Sequence, residues 1–149
     1  MVGYWANPEA TEEVFNDDGW FRSGDLGYIE DGFVFIVDRV KDLVIRGGEN
    51  ISCIEVEAAI YSHPSVQEAA VFGIPEERLG ETLCTSICLK PSSSLTEEEI
   101  KDFLKDKIAA YKIPSMIKIH LEELPRVASG KFSKKQLRDD FVAIEQHNS

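Results

Sequence analysis

The sequence predicts an α+β fold: a small mixed sheet with about three helices, preceded by a β-rich leading segment. Three observations predict it. Apolar runs of strand length recur at residues 33–37, 66–72, 83–89 and 116–121. Capping signatures open helical stripes after Ser52, Thr96 and Ser133. Finally, the charged stretch Asp38-Arg39-Val40-Lys41-Asp42 interrupts the apolar pattern and separates a strongly acidic front from a nearly balanced remainder.

Each element follows in order. Asn7, Pro8 and Glu9 open a short helix, with Asn as cap, Pro at the first helical position and an acid in the first turn. It is expected to stop before Asp17-Asp18-Gly19. Extended pieces at 20–22 and 28–30 lead to Asp31-Gly32, a hairpin turn into the run 33–37. Leu43, Val44 and Ile45 resume the apolar pattern as far as Gly47-Gly48. Ser52, with Glu55 three residues on, predicts a capping box, and Val56, Ala59 and Ile60 mark one face of a helix ending near His63-Pro64. Strands at 66–72 and 83–89 come next, the second alternating Leu83, Thr85, Ile87 and Leu89 against Cys84, Ser86 and Cys88. After the linker 91–94, Thr96 with Glu99 caps a helix whose core stripe is Ile100, Phe103, Leu104 and Ile108. A strand at 116–121 follows, and Ser133 with Gln136 caps a last helix carrying Leu137 and Phe141.

Composition narrows the function. The 149 residues are 43% hydrophobic and 29% charged, which suits one soluble domain with a short appendage. A formal net charge of −11 argues against a nucleic-acid partner or an anionic membrane surface. Residues 1–37 hold eight acids against Arg22 alone, so most of the acid excess sits in the front quarter. No apolar run approaches the roughly 18 residues needed to span a bilayer, and the amino terminus lacks a signal pattern; a cytoplasmic protein is expected. The three cysteines give no disulfide framework, because Cys84 and Cys88 in one strand would share a face at roughly 13 Å. His63, His120 and His147 are scattered singly, so no metal site is expected.

Three segments could carry chemistry. Pro125-Arg126-Val127-Ala128-Ser129-Gly130-Lys131 places a lysine on an exposed, turn-rich loop. It is no phosphate loop, since Pro125 stands where that pattern needs Gly and Phe132 where it needs Ser or Thr. Arg22-Ser23-Gly24-Asp25 aims a carboxylate from a sharp turn, an acceptor suited to vicinal hydroxyls such as those of a ribose. Asp38-Arg39-Val40-Lys41-Asp42, followed by Arg46-Gly47-Gly48-Glu49-Asn50, sets basic side chains before two glycines that let a ligand approach the backbone. Each alone also reads as something plainer: a solvated lysine, an Asp in a turn, a charged β-hairpin with a glycine turn.

Together, in this order and spacing, Gly19 through Asp25, Asp38 through Ile51 and Pro125 through Lys131 resemble the adenylate-forming, AMP-binding acyl-CoA synthetases of the fatty acid:CoA ligase kind. Luciferases and the adenylation domains of peptide synthetases are related. The likeness runs from Gly3-Tyr4-Trp5 to about Phe141 and is that of a carboxy-terminal portion. The resemblance implies that ATP and a carboxylic acid form an acyl-adenylate, which then passes to the thiol of coenzyme A. It assigns Lys131 to adenylation, Asp25 and Arg39 to the nucleotide, Lys41 to a hinge, and Gly48, with Gly47, to coenzyme A. It further implies a division into 1–38, the last β-rich segment of a large amino-terminal domain, a hinge at 39–41, and a mobile carboxy-terminal domain at 42–149. The magnesium that accompanies ATP, the acyl pocket and the adenine pocket are expected in the missing amino-terminal domain, which is then the main partner.

On that reading the isolated chain is inactive. Tyr4, Trp5, Phe15 and Phe21 would lack their native packing, leaving the leading segment mobile or self-associating. The alternative is a free-standing binding or regulatory module without catalysis, or an adenylation-domain piece from the luciferase or peptide-synthetase branches. The Gly47-Gly48-Glu49-Asn50 run favours the acyl-CoA synthetase branch.

Overall fold

Asn7 opens the first helix in the computed structural model, which describes residues 1–147. Its side chain accepts a hydrogen bond from the Ala10 N–H at 3.0 Å, with Pro8 beginning the helix α1 (Pro8–Val14). Phe15 then meets Phe21 through an isolated bridge and an edge-on ring contact at 5.7 Å. The extended piece expected at 20–22 is therefore a single bridge and not a strand. β1 (Asp25–Glu30) and β2 (Phe33–Arg39) pair antiparallel across Asp31-Gly32, whose φ angles of 51° and 83° give the twist a two-residue hairpin needs. Every side chain of this hairpin's strands is exposed except that of Asp38. Met1–Lys41 forms one compact unit and Asp42–Ser149 a second.

The second unit begins with a hairpin of β3 (Leu43–Arg46) and β4 (Glu49–Ser52), joined by Gly47-Gly48. The plainer reading of this segment, a charged β-hairpin with a glycine turn, is the local structure that forms. Helix α2 (Cys53–Tyr61) follows, and Ser52 Oγ accepts from the Glu55 N–H at 3.2 Å. The reciprocal half of the expected capping box is replaced: the Glu55 carboxylate turns to Lys112, whose ammonium lies 2.7 Å from both of its oxygens. β5 (Val66–Glu76) and β6 (Gly80–Leu89) are longer than their apolar cores, because backbone pairing runs unbroken out to Glu76 and Gly80. Helix α3 (Glu97–Lys105) has the complete capping box of Thr96 and Glu99. Strand β7 (Met116–His120) runs parallel to β6 in an otherwise antiparallel sheet, which makes it mixed. Helix α4 (Lys134–His147) closes the described chain.

The five-stranded sheet has the order β4-β3-β6-β5 with β7 beside β6. Both of its faces are covered. Val71, Leu83 and Ile87 point to one core with Val56 and Ile60 of α2 and Ile100 and Leu104 of α3. Phe72, Ile74, Cys84 and Cys88 point to the other, with Leu137 and Phe141 of α4. The alternation of β6 was legible, yet its cysteine face is as buried as its leucine face. All three cysteines are buried and none is in a disulfide. Burial pushes the Cys88 thiol above its ordinary value, with Glu68 and Glu123 adding to the shift, so it is poorly suited to act as a thiolate.

Candidate functional site

Asp25 and Arg39 are brought together by an irregularity in the first hairpin. Counting back from the Asp31-Gly32 turn without interruption would set Asp25 opposite Asp38, two like charges. A register shift between Leu26 and Gly27 sets Leu26 opposite Asp38 and Asp25 opposite Arg39 instead. Glycine is needed there, because a Cβ on Gly27 would come within 2.6 Å of the Phe35 carbonyl oxygen. The result is an ion pair of 3.3 Å between Arg39 Nε and Asp25 Oδ1. The Asp25 N–H donates to Ser23 Oγ at 3.2 Å, and Val40 N–H to the Gly24 carbonyl at 2.8 Å, which fix the turn from both sides. Lys41 lies exposed in the single 3-10 turn Val40–Asp42, where the first unit ends.

Gly47 and Gly48 form the two-residue tip of the β3–β4 hairpin, with φ of 59° and 87°. Gly47 N–H donates to the Leu79 carbonyl at 2.8 Å, and Arg46 pairs with Gly80, so the tip lies against the β5–β6 turn. A Cβ on Gly48 would meet nothing within 4 Å. The backbone at Gly48 is thus open to a ligand, and its left-handed φ is what a larger residue would resist. Arg46 does not present a free charge here: its Nη1 donates to the Tyr111 carbonyl at 3.3 Å and its Nε is buried.

Lys131 sits on a loop that closes on itself. Arg126 and Phe132 form a bridge, Val127 N–H donates to the Lys131 carbonyl at 2.9 Å, and Gly130 N–H to the Val127 carbonyl at 2.8 Å. The Lys131 side chain is exposed and has no ion-pair partner among the described residues. Beneath it, Glu68 of β5 accepts from the Leu124 N–H at 2.7 Å and pairs with Arg126. Arg126 in turn donates to the Gly130 carbonyl at 2.7 Å and lies over the Phe132 ring at 4.4 Å. Sequence reasoning missed Glu68; its one visible signal is a lone acid inside the apolar run 66–72.

The hairpin tip and the lysine loop occupy opposite ends of one ladder. The glycines abut the Glu76/Gly80 end of β5–β6, and the lysine loop is anchored at Glu68 near the Val66/Leu89 end. Glu76 lies eight residue steps along the strand from Glu68, roughly 26 Å. Among the described residues no group of three or more His, Cys, Asp or Glu side chains could hold a metal ion. No helix among them is long and apolar enough to cross a membrane.

Residues 55–131, from the Glu55 that reaches Lys112 to the loop lysine itself, match the AMP-binding enzyme C-terminal domain. The chain belongs to this family. This AMP-binding enzyme C-terminal domain is 47% identical over 148 residues to the mitochondrial medium-chain acyl-CoA ligase ACSF2 of Rattus norvegicus, covering 99% of the chain and 23% of that ligase. The Bos taurus enzyme of the same name is 45% identical, with the same coverage. Among solved structures, ATP-bound MatB from Rhodopseudomonas palustris superposes with a TM-score of 0.83 at 37% identity, over 93% of this chain and 28% of that one. A Mycobacterium tuberculosis fatty acyl CoA synthetase gives 0.69 at 38% identity, over 95% and 28%. The chain therefore spans about a quarter of the length of these relatives. The resemblance drawn from the three motifs and the α+β fold both hold. The cytoplasmic expectation does not: the similar rat and bovine ligases are mitochondrial. Its basis, an amino terminus without a signal pattern, carries no weight in a chain that spans so little of its relatives.

Proposed function

We propose that the chain is the mobile carboxy-terminal domain, with a leading piece of the amino-terminal domain, of an ATP-dependent carboxylic acid:CoA ligase. The ligase forms an acyl-adenylate and then an acyl-CoA thioester. The observation that carries this reading is Lys131, an unpaired ammonium on a braced loop at the far end of the sheet from an open glycine tip. As the acyl carboxylate attacks the α-phosphorus of ATP, negative charge spreads over the attacking oxygen, the phosphoryl oxygens and the departing pyrophosphate. A fixed ammonium stabilises that charge. Asp25 accepts hydrogen bonds from the ribose hydroxyls, while Arg39 holds the carboxylate in place and adds positive charge near the phosphates.

In the second half-reaction the pantetheine arm of coenzyme A lies along Gly48, where no side chain intrudes. Rotation at Lys41, where the two compact units meet in sequence, exchanges one end of the domain for the other. The magnesium that accompanies ATP is assigned, by the family resemblance, to the amino-terminal part. The exposed apolar side chains of β1 and β2, among them Ile29, Phe33 and Ile36, are assigned to packing against that same part; in the chain alone they favour self-association. The mitochondrial ligases support the same compartment for this chain.

The test uses the full-length ligase. Lys131→Ala should lower acid-dependent exchange of pyrophosphate with ATP by roughly a thousandfold while supplied acyl-adenylate is still converted to thioester. Equal loss of both half-reactions would remove the assignment.

A further inference from the structure

An ammonium that acts by its position gains little if its loop wanders, because a misplacement of about 1 Å can cost on the order of a hundredfold. The lysine loop contains its own brace. Glu68 is anchored in β5, paired with β6 and covered by the α4 side of the core, and its side chain is only 9% exposed. It receives the Leu124 N–H and the Arg126 guanidinium, so its charge is matched by two donors. The guanidinium spans the loop. One nitrogen holds Glu68, another donates to the carbonyl of Gly130, and its flat face rests on the Phe132 ring. Gly130 and Phe132 are the two chain neighbours of Lys131. Arg126 therefore holds the Gly130 carbonyl on one side of the lysine and the Phe132 ring on the other, and ties both to the sheet through Glu68.

We propose that Glu68 and Arg126 are positioning residues for Lys131, transmitting the rigidity of β5 to the ammonium during adenylation. The proposal rests on the reading of Lys131 as the adenylating lysine. Neither side chain needs to touch a reactant. A plain structural ion pair would stabilise the domain and affect both half-reactions alike, whereas a brace for one loop affects the half-reaction that uses the loop.

The full-length ligase separates these cases. Pyrophosphate exchange and thioester formation from supplied acyl-adenylate are measured for Lys131→Ala, Arg126→Ala, Glu68→Gln and the double variant Arg126→Ala/Lys131→Ala. Glu68→Gln is included because Arg126→Ala leaves a buried carboxylate short of its partner and risks the fold. Both brace variants should lower kcat for adenylation roughly 10- to 100-fold with KM for ATP changed less than about threefold, and leave the thioester step within about twofold. The double variant should be no slower than Lys131→Ala alone, since a brace has no value without the group it positions. Unchanged adenylation in the brace variants, equal losses in both half-reactions, or losses that multiply in the double variant would each overturn the proposal. If Lys131→Ala is impaired and the brace variants are not, only the brace falls. If Lys131→Ala adenylates normally, the reading of Lys131 falls and the brace with it.

Discussion

The two ends of the β5–β6 ladder are built on opposite plans. At the Val66/Leu89 end, where the proposed function needs a side chain delivered, the structure surrounds the Lys131 loop with a buried carboxylate, a guanidinium and an aromatic face. At the Glu76/Gly80 end, where the proposed function needs a bare backbone, two glycines turn the hairpin and Arg46 donates to the Tyr111 carbonyl. Delivering a charge calls for bracing, while offering a surface calls for vacancy. On the proposed function, the strand pair of about 26 Å between them is what a rotation at Lys41 would exchange end for end.

The largest effect expected is also the one that would most directly break this comparison. Lys131→Ala should lower adenylation by roughly a thousandfold, the scale of removing one well-placed charge-stabilising donor, with the thioester step nearly untouched. The glycine end should answer in reverse. Gly48→Val imposes a β-branched residue on a φ of 87° and fills the open surface, so thioester formation should fall at least about tenfold while pyrophosphate exchange persists. If Gly48→Val slows adenylation as much as thioester formation, the two ends are not functionally distinct.

A smaller effect separates the two ends energetically. The Lys112–Glu55 pair beside the hairpin is close, but the Glu55 side chain is 47% exposed. Glu55→Gln should lower unfolding stability by less than about 1 kcal/mol, and less still at high salt. Chemical denaturation of the chain at two salt concentrations checks this. A salt-independent loss would mean the pair is shielded from solvent in the way Glu68 is.

What the sequence disclosed follows the range of each interaction. The Thr96–Glu99 box closes within one turn of helix and was fully legible, as was the alternation of β6 between two faces. The Ser52–Glu55 box failed in one arm because Lys112, 57 residues away, competes for the carboxylate. Strand β4 was legible only as the second arm of a glycine-turned hairpin, because a four-residue segment with one buried side chain, Ile51, has too little periodicity of its own. In the candidate site, Asp25, Gly48 and Lys131 were singled out through the family resemblance of the three motifs that hold them, not by any one segment alone. The Asp25–Arg39 pairing depends on a register shift at Gly27, and the Glu68–Arg126 brace joins residues 58 apart. Neither contact has a local signature.

The smallest effect expected is a pH response of opposite sign at the two ends. His120 closes β7 beside Cys88, which is itself paired with Glu68, so it belongs to the lysine end. Its Nε2 lies 3.2 Å from Ser86 Oγ; burial holds its pKa below the ordinary 6.5, Lys118 adds to the lowering, and Asp140 opposes it. In the unfolded chain this histidine takes up its proton first. The stability it contributes is therefore complete above about pH 6.5 and is lost as pH falls through the lower folded value. At the hairpin end the hydrogen bond that Lys112 donates to the Glu55 carboxylate raises the Lys112 pKa above 10.5. That contribution is complete below pH 10.5 and is lost as pH rises through the higher folded value, and solvent screening keeps it small. Thermal midpoints measured against pH should thus lose their decline just below pH 6.5 in His120→Gln and keep it in Glu55→Gln. A decline that survives in His120→Gln would place the acid-sensitive group elsewhere and leave the lysine end no more acid-labile than the glycine end.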